Sequence, residues 1–389
     1  MISVTEAQTR LLALVSPLPS ETVPLRKAAG RILASPVIAT RPQPPFAASA
    51  MDGYAVCGKV AAGATFTVIA ESAAGRRADV RVSTGEAVRI FTGAPLPEGA
   101  DRVIIQEDVS RSGDVITLGD RLDRGTNIRP AGGDFAVDAR IEPGQVLTPN
   151  LLALAASMGA AALEVVRRPV VAVMATGDEL VMPGETPGPD QIIASNSFAL
   201  TAMFEAAGAD CRLLPIARDT RDNLTEAFHL ARGADIVITT GGASVGDHDL
   251  VGDVAADLGM ERAFYKVAMR PGKPLMAGRV LDMAMAGLPG NSVSSIICGH
   301  IFILPMLRKM LHLGEAPPPR RNLALAHDLP ANGPREHYMR GRATGGSVEV
   351  FDRQDSSLLS VLAEANVLVV RPVDDGPRSA GDVVEVIDL

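Results

Sequence analysis

Residues 235–249, DIVITTGGASVGDHD, decide how the chain is organised. Ile236, Val237, Ile238, Thr239 and Thr240 are all apolar or β-branched, as in a strand covered on both faces. Gly241-Gly242 interrupts the run where a helix could begin. The pattern is strand, glycine loop, helix. Gly241 and Gly242 accept positive φ and let a ligand lie against bare amides, while the helix start offers unpaired N–H groups and the positive end of its dipole. Such a corner suits phosphate, with Ser244 and Gly246 in the same loop. Asp247 and Asp249 follow at once, and carboxylates beside a bound phosphate repel it unless a cation lies between them. Phosphate together with Mg²⁺ is the expectation.

The same rhythm extends on either side. Strand-like residues 170–175 precede helix-like 197–207, 211–216 precede 223–231, and 236–240 precede 249–258. Alternation of this kind predicts a mainly parallel sheet with helices on both faces, whose ligands sit at the carboxyl ends of the strands. Those ends carry Thr176-Gly177-Asp178-Glu179, Arg218-Asp219, the glycine loop, and Gly287-Leu288-Pro289-Gly290-Asn291 ahead of a helix over 293–310. Asp178, Glu179, Asp219, Asp247 and Asp249 are thereby expected on one rim, where uncompensated acids call for a cation or basic partners. Lys273, held in Pro271-Gly272-Lys273-Pro274, is a candidate fixed counter-charge to phosphate. Plainer readings compete at each position. The glycine loop matches neither the Walker pattern nor GxGxxG and also fits an ordinary tight turn. Asp219 and Asp247 fit helix N-caps, Lys273 an exposed lysine, and His248 a helix start.

At 389 residues the chain exceeds one ordinary core, so two to four domains are expected. Residues 1–45 and 140–168 read as a discontinuous helical linker domain, with helices near 4–15, 25–35 and 146–162 that pack together. Residues 46–139 read as an inserted β-rich domain: short runs at 66–69, 87–90, 102–105 and 115–118 are separated by Gly, Pro and Asp turns. Residues 169–315 form the α/β domain, and 320–389, after the linker-like GEAPPPRR, a small C-terminal β-domain of barrel or sandwich type. The fold class is thus multidomain α/β and β. A formal net charge of −8 with no long basic run argues against nucleic acid as a partner. Cys57, Cys211 and Cys298 lack CxxC spacing, so neither a zinc site nor a disulfide framework is expected. The longest apolar run, 151–163, is too short to cross a bilayer, and the N-terminus has no basic n-region; a cytoplasmic protein without a membrane partner is expected.

Six separated motifs carry a resemblance over nearly the whole chain: Ser49-Ala50-Met51-Asp52-Gly53-Tyr54-Ala55, Thr92-Gly93-Ala94-Pro95-Leu96-Pro97-Glu98-Gly99-Ala100-Asp101, Thr176-Gly177-Asp178-Glu179-Leu180, Gly241-Gly242-Ala243-Ser244-Val245-Gly246-Asp247, Pro271-Gly272-Lys273-Pro274 and Gly287-Leu288-Pro289-Gly290-Asn291. In order and spacing they resemble the molybdopterin molybdenumtransferase family, bacterial counterparts of the gephyrin E domain. The resemblance implies a homodimeric enzyme that removes AMP from adenylylated molybdopterin in a Mg²⁺-dependent step and inserts molybdate as co-substrate, with a molybdopterin adenylyltransferase as possible partner. It implies a molybdopterin-binding role for 169–315. Asp52, Asp178, Glu179, Asp219 and Asp249 then match catalytic positions, with Glu179, Asp219 and Asp249 around the metal. Thr92, Asp134, Thr176, Gly241, Gly242, Ser244, Gly246, Lys273, Pro289, Gly290 and Asn291 match positions around the substrate, and Asp52 is contributed from the partner subunit. Three departures stand out: Gly133 where Glu is frequent, Ser292 where Pro is frequent, and Arg353-Gln354-Asp355-Ser356-Ser357 in place of a glycine-richer segment. Two rival functions are a non-catalytic pterin-binding or scaffolding protein and a phosphoanhydride hydrolase on the same α/β domain. The motifs in the first 168 residues argue against the latter.

Overall fold

The computed structural model describes residues 1–241 and 250–389. Gly242, Ser244, Gly246, Asp247, His248 and Asp249, to which roles were attached above, lie outside the described residues. Two compact units are present: Met1–Glu21, Gly30–Ile32 and Val165–Leu389 form one, and Thr22–Ala29 with Leu33–Glu164 the other.

The first unit is built on a six-stranded sheet in the order Asp210–Leu213, Val170–Ala175, Ile236–Thr240, Met283–Leu288, Met276–Val280, Glu261–Tyr265. The first four strands are parallel; Met276–Val280 runs against them, and Glu261–Tyr265 pairs antiparallel to it at the edge. Both faces are covered, which is why the central strands are buried almost throughout and apolar or β-branched at nearly every position. On one face Val171, Val173, Ile236 and Ile238 pack with Leu200, Phe204, Ile297 and Ile301. On the other, Ala172, Met174 and Val237 meet Leu224, Phe228, Val251 and Val254. The helix Ser292–Met310 is long and apolar enough to span a membrane by length and composition, but 72% of it is buried in this core. Its middle turn, Gly299–Ile303, is π-helical. That widening lies just upstream of Pro305, which has no N–H to give to the helical ladder.

The N-terminal helix Val4–Leu12 starts at Ser3, whose hydroxyl accepts from Glu6 N at 3.1 Å. Its apolar face, Val4, Ala7 and Leu11, joins the α/β core beside Phe302 and Met306. It therefore belongs to this unit and does not pair with residues 146–162 as expected. The expected helix over 25–35 is a single 3-10 turn, Leu25–Lys27, because Pro24, Pro36 and a positive φ of 71° at Gly30 bracket the segment. The expected helix over 146–162 divides into Pro149–Ser157 and the strand Ala162–Val166. Gly159, at φ 94°, ends the helical course.

In the C-terminal part of this unit, Glu336–Thr344, Ser347–Val350, Arg321–Leu325, Val383–Asp388 and Val367–Arg371 pair in that order, and the last returns to the first. The result is a closed, barrel-like sheet with Leu323, Val348, Val369 and Val386 in its core. Tyr338, Leu368, Val370 and Ile387 bury against the α/β domain instead. The short strand Met269–Arg270 adds in parallel to Glu336–Thr344.

The second unit carries a six-stranded sheet in the order Arg102–Ile105, Gly53–Val56, Glu86–Ile90, Thr65–Ser72, Val115–Leu118, Val109–Ser112. Tyr54, Phe66 and Ile116 form one core and Val88, Ile90 and Val103 another, so alternate residues of its strands face opposite layers.

Candidate functional site

A cavity of about 390 Å³ opens at the carboxyl ends of the parallel strands, where such a sheet is expected to bind ligand. Thr176, Glu179, Gly241, Pro289, Gly290 and Asn291 all line it, so the structure brings together motifs more than a hundred residues apart. The strand ends are tied by Thr176 N donating to Thr240 O at 2.9 Å and Gly241 N donating to Leu288 O at 3.3 Å. Gly241 is required: its φ is 93°, and a Cβ there would lie 2.5 Å from Thr176 O. Gly290 is not under that constraint, since its Cβ would meet only Gly241 Cα, at 3.6 Å. Its carbonyl accepts from Asn196 Nδ2 at 2.6 Å, which joins the starts of two helices across the cavity.

Asp178, Glu179 and Asp219 form an acidic corner beside this cavity. Asp178 Oδ1 accepts from Asp219 N at 3.1 Å. Burial first, then the negative charges of Asp178 and Glu179, push the Asp219 carboxyl above the usual carboxylate range. Arg218 does not relieve this charge. Its Nη1 donates to the carbonyls of Asp178 at 3.0 Å and Leu180 at 3.1 Å, fixing the loop's backbone. Among the described residues none of the three acids makes a salt bridge. Nor does Asp219 cap the following helix: Thr220 accepts from Asn223 N at 3.3 Å and is the cap. Carboxylate oxygens in this state suit a hard cation. Yet among the described residues no three His, Cys, Asp or Glu converge as a ligand set, so these acids alone do not complete a metal site.

A second cavity, of about 290 Å³, shares Pro274 and Asn291 with the first. Arg270, Lys273 and Arg335 line it with Gln354, Asp355 and Ser356. Lys273 therefore belongs to this neighbouring chamber and not to the glycine-loop cavity. Burial, then Arg270, Arg335, Arg371 and Arg340, hold the pKa of His337 down at about 4, which registers the positive field around it. The Pro271–Pro274 turn seats tightly on the helix: Gly272 has φ 111°, and a Cβ there would lie 2.7 Å from Cys298 Sγ. Asn291 Nδ2 donates to Ser356 Oγ at 2.9 Å, and Val293 N donates to Ser356 O at 3.3 Å. One chamber is lined by glycines and a helix start, the other by three cations, and Asn291 stands in the wall between them.

Comparison with known proteins gives the family. Residues 2–159 match the family model "MoeA N-terminal region (domain I and II)", 172–309 match "Probable molybdopterin binding domain", and 322–389 match "MoeA C-terminal region (domain IV)". Molybdopterin molybdenumtransferase 2 of Mycobacterium tuberculosis is 36% identical over 385 residues, 95% of each chain. Molybdopterin molybdenumtransferase of Haemophilus influenzae is 34% identical over 397 residues, covering 99% of this chain and 98% of its own. The chain belongs to the molybdopterin molybdenumtransferase family. The fold agrees: a molybdopterin biosynthesis MoeA protein from Pyrococcus horikosii superposes with a TM-score of 0.84 at 27% identity, covering 100% of this chain and 99% of that one.

Three further candidate residues from the sequence lie in the second compact unit. Asp52 Oδ1 accepts from Thr92 N at 2.7 Å and Thr92 Oγ1 at 2.8 Å, and these bonds hold its carboxyl below the usual range. The structure thus joins Asp52 to Thr92. Asp134 stands apart: its backbone N donates to Gln43 O at 2.9 Å, and its side chain has no hydrogen-bond partner among the described residues. Tyr54, in the same motif, is a packing residue.

Several lining residues were not anticipated from sequence. Ile192 and Ile193, 59% and 47% exposed, form an apolar lip of the first cavity, joined there by Ser195 and Asn196. Two adjacent exposed isoleucines after a Gly/Pro-rich stretch were the available signal. Arg270, Arg335, Gln354 and Ser356 carried none as separate residues.

Proposed function

We propose that this chain is a molybdopterin molybdenumtransferase, inserting molybdate into adenylylated molybdopterin with release of AMP in molybdenum cofactor biosynthesis. The observation that carries the reading is the pair of chambers of unlike chemistry divided by Asn291. In the first, the lip of Ile192 and Ile193 gives an apolar wall for a ring system, while Gly290 and the N-terminus of the helix beginning at Ser292 present amides to phosphate and Gly241 leaves room for it. In the second, Arg270, Lys273 and Arg335 offer charged donors to a tetrahedral dianion, and Ser356 adds a hydroxyl. A pterin in one chamber and molybdate in the other would meet across the shared wall of Pro274 and Asn291, which converts a two-substrate encounter into a positioned one.

The acidic corner of Asp178, Glu179 and Asp219 would favour Mg²⁺ alongside the phosphates, and Asp249, outside the described residues, is the proposed completing ligand. Bound there, the ion would neutralise phosphate charge. We further propose that the protein acts as a cytoplasmic homodimer, that Asp52 of the partner subunit serves the cleft with Thr92 holding its carboxylate, and that Asp134 contacts substrate. The substrate would then come from a molybdopterin adenylyltransferase.

Incubating the purified protein with adenylylated molybdopterin, Mg²⁺ and molybdate tests the reading. AMP and active cofactor should appear together. AMP without inserted molybdenum would favour the hydrolase, and binding without either product the scaffold.

A further inference from the structure

We propose that Arg340 and Gln354 are positioning residues that lock one wall of the oxyanion chamber; the proposal rests on the assignment of that chamber to molybdate. Arg340, on the strand Glu336–Thr344, is 1% exposed, yet it forms no salt bridge among the described residues. Its hydrogen-bond partners are neutral, and the Asp355 carboxylate acts on it only through charge. Nη1 donates to Leu358 O at 3.2 Å, and Nε donates to Gln354 Oε1 at 3.3 Å. The backbone N of Arg340 donates to the same oxygen at 3.0 Å, while Gln354 Nε2 donates to Arg340 O at 2.9 Å and to Phe351 O at 2.7 Å. The Gln354 amide therefore pairs with Arg340 through both its donor and its acceptor, as a neighbouring strand's backbone would.

Burying a guanidinium among neutral acceptors opposes its charge, and the geometry shows what it accomplishes. The planar fork reaches positions 354 and 358 at once, a span that a lysine's point charge cannot bridge. Asp355 and Ser356 lie between those anchors. Asp355 Oδ1 accepts from Ser357 N at 2.8 Å and Ser357 Oγ at 2.6 Å, which closes the turn. Ser356 is left facing Asn291, whose Nδ2 it receives, and its carbonyl receives Val293 N. The chain of bonds runs from the strand that follows Arg335, through Gln354 and Ser356, to the residue dividing the two chambers. It holds the cationic wall and the helix start in register. The departure at Arg353-Gln354-Asp355-Ser356-Ser357 thereby acquires a role.

The test is calorimetric titration of the full chain with sodium molybdate, comparing Gln354→Leu, Gln354→Glu, Arg340→Lys and Lys273→Ala with the unaltered protein. Losing such a supporting bond should weaken molybdate affinity about tenfold in Gln354→Leu and in Arg340→Lys. Gln354→Glu, which keeps the acceptor facing Arg340, should lose less. In steady state the KM for molybdate should rise while kcat and the KM for the pterin substrate hold. Wild-type molybdate affinity in both Gln354→Leu and Arg340→Lys, alongside a weakened Lys273→Ala, would overturn the positioning role alone. Unchanged affinity in Lys273→Ala would overturn the chamber's assignment and the positioning role with it. Equal loss of pterin and molybdate binding would show a general structural role and overturn the proposal.

Discussion

Asp219 shows how a single carboxylate reports on its site. Its pKa lies above the ordinary value because it is partly buried beside Asp178 and Glu179. The folded state therefore holds this proton more tightly than the unfolded chain. Its contribution favours folding as pH falls through the raised pKa and opposes folding above it. Asp219→Asn should accordingly raise Tm at pH 7, and the gain should vanish below the usual carboxylate range; a lower Tm at pH 7 would contradict the uncompensated acidic corner. The two cavity glycines make a second contrast. Gly241→Ala faces positive φ and a 2.5 Å approach to Thr176 O, and should cost about 2 kcal/mol or more in urea unfolding. Gly290→Ala meets only an ordinary contact and should stay within about 1 kcal/mol. Equal losses would show that the two positions are not distinguished by backbone geometry. Both glycines looked alike in sequence, because φ is set by how the strand ends meet and not by the neighbouring residues.

Elements with a clear period were legible, and those without one were not. Val170–Ala175 is apolar and Ile236–Thr240 apolar or β-branched throughout because both faces are covered, and Arg221–Ala231 carries Leu224, Ala227, Phe228 and Ala231 along one stripe. Residues 25–35 contain enough apolar side chains to imitate a helix, but the flanking prolines and Gly30 decide otherwise. The antiparallel edge, Glu261–Tyr265 and Met276–Val280, was not anticipated. Its strands are short, and Gly278 lies where a Cβ would approach Glu261 O at 2.4 Å, a constraint visible only once the strands pair. Helix capping gives a prediction at this scale. Thr220 and not Asp219 holds the start of Arg221–Ala231, so Thr220→Ala should lower stability by about 1 kcal/mol while leaving molybdate affinity unchanged. A neutral Thr220→Ala in denaturant titration would return the cap to Asp219.

Across the α/β and barrel unit, the site is a meeting of distant segments. Sequence reading reached the first cavity because its parts are strand-end motifs, each recognisable locally. Of the second it reached Lys273 and Asn291 but not its other charges, since Arg270, Arg335 and Ser356 gather through the pairing of Met269–Arg270 with Glu336–Thr344 and the closure of the barrel. Burial of His337, together with the positive field there, has a measurable consequence. His337 stays neutral down to about pH 4 in the fold but takes up a proton near its ordinary pKa when unfolded, so stability should fall as pH drops from about 6.5 toward 4. His337→Gln should flatten that part of the Tm–pH curve, and an unchanged curve would contradict the depressed pKa of the buried imidazole. The most direct measurement of the two-chamber account is an anomalous difference map from crystals soaked in molybdate. It should show molybdenum among Arg270, Lys273 and Arg335; a peak confined to the glycine cavity by Gly241 and Gly290 would contradict it.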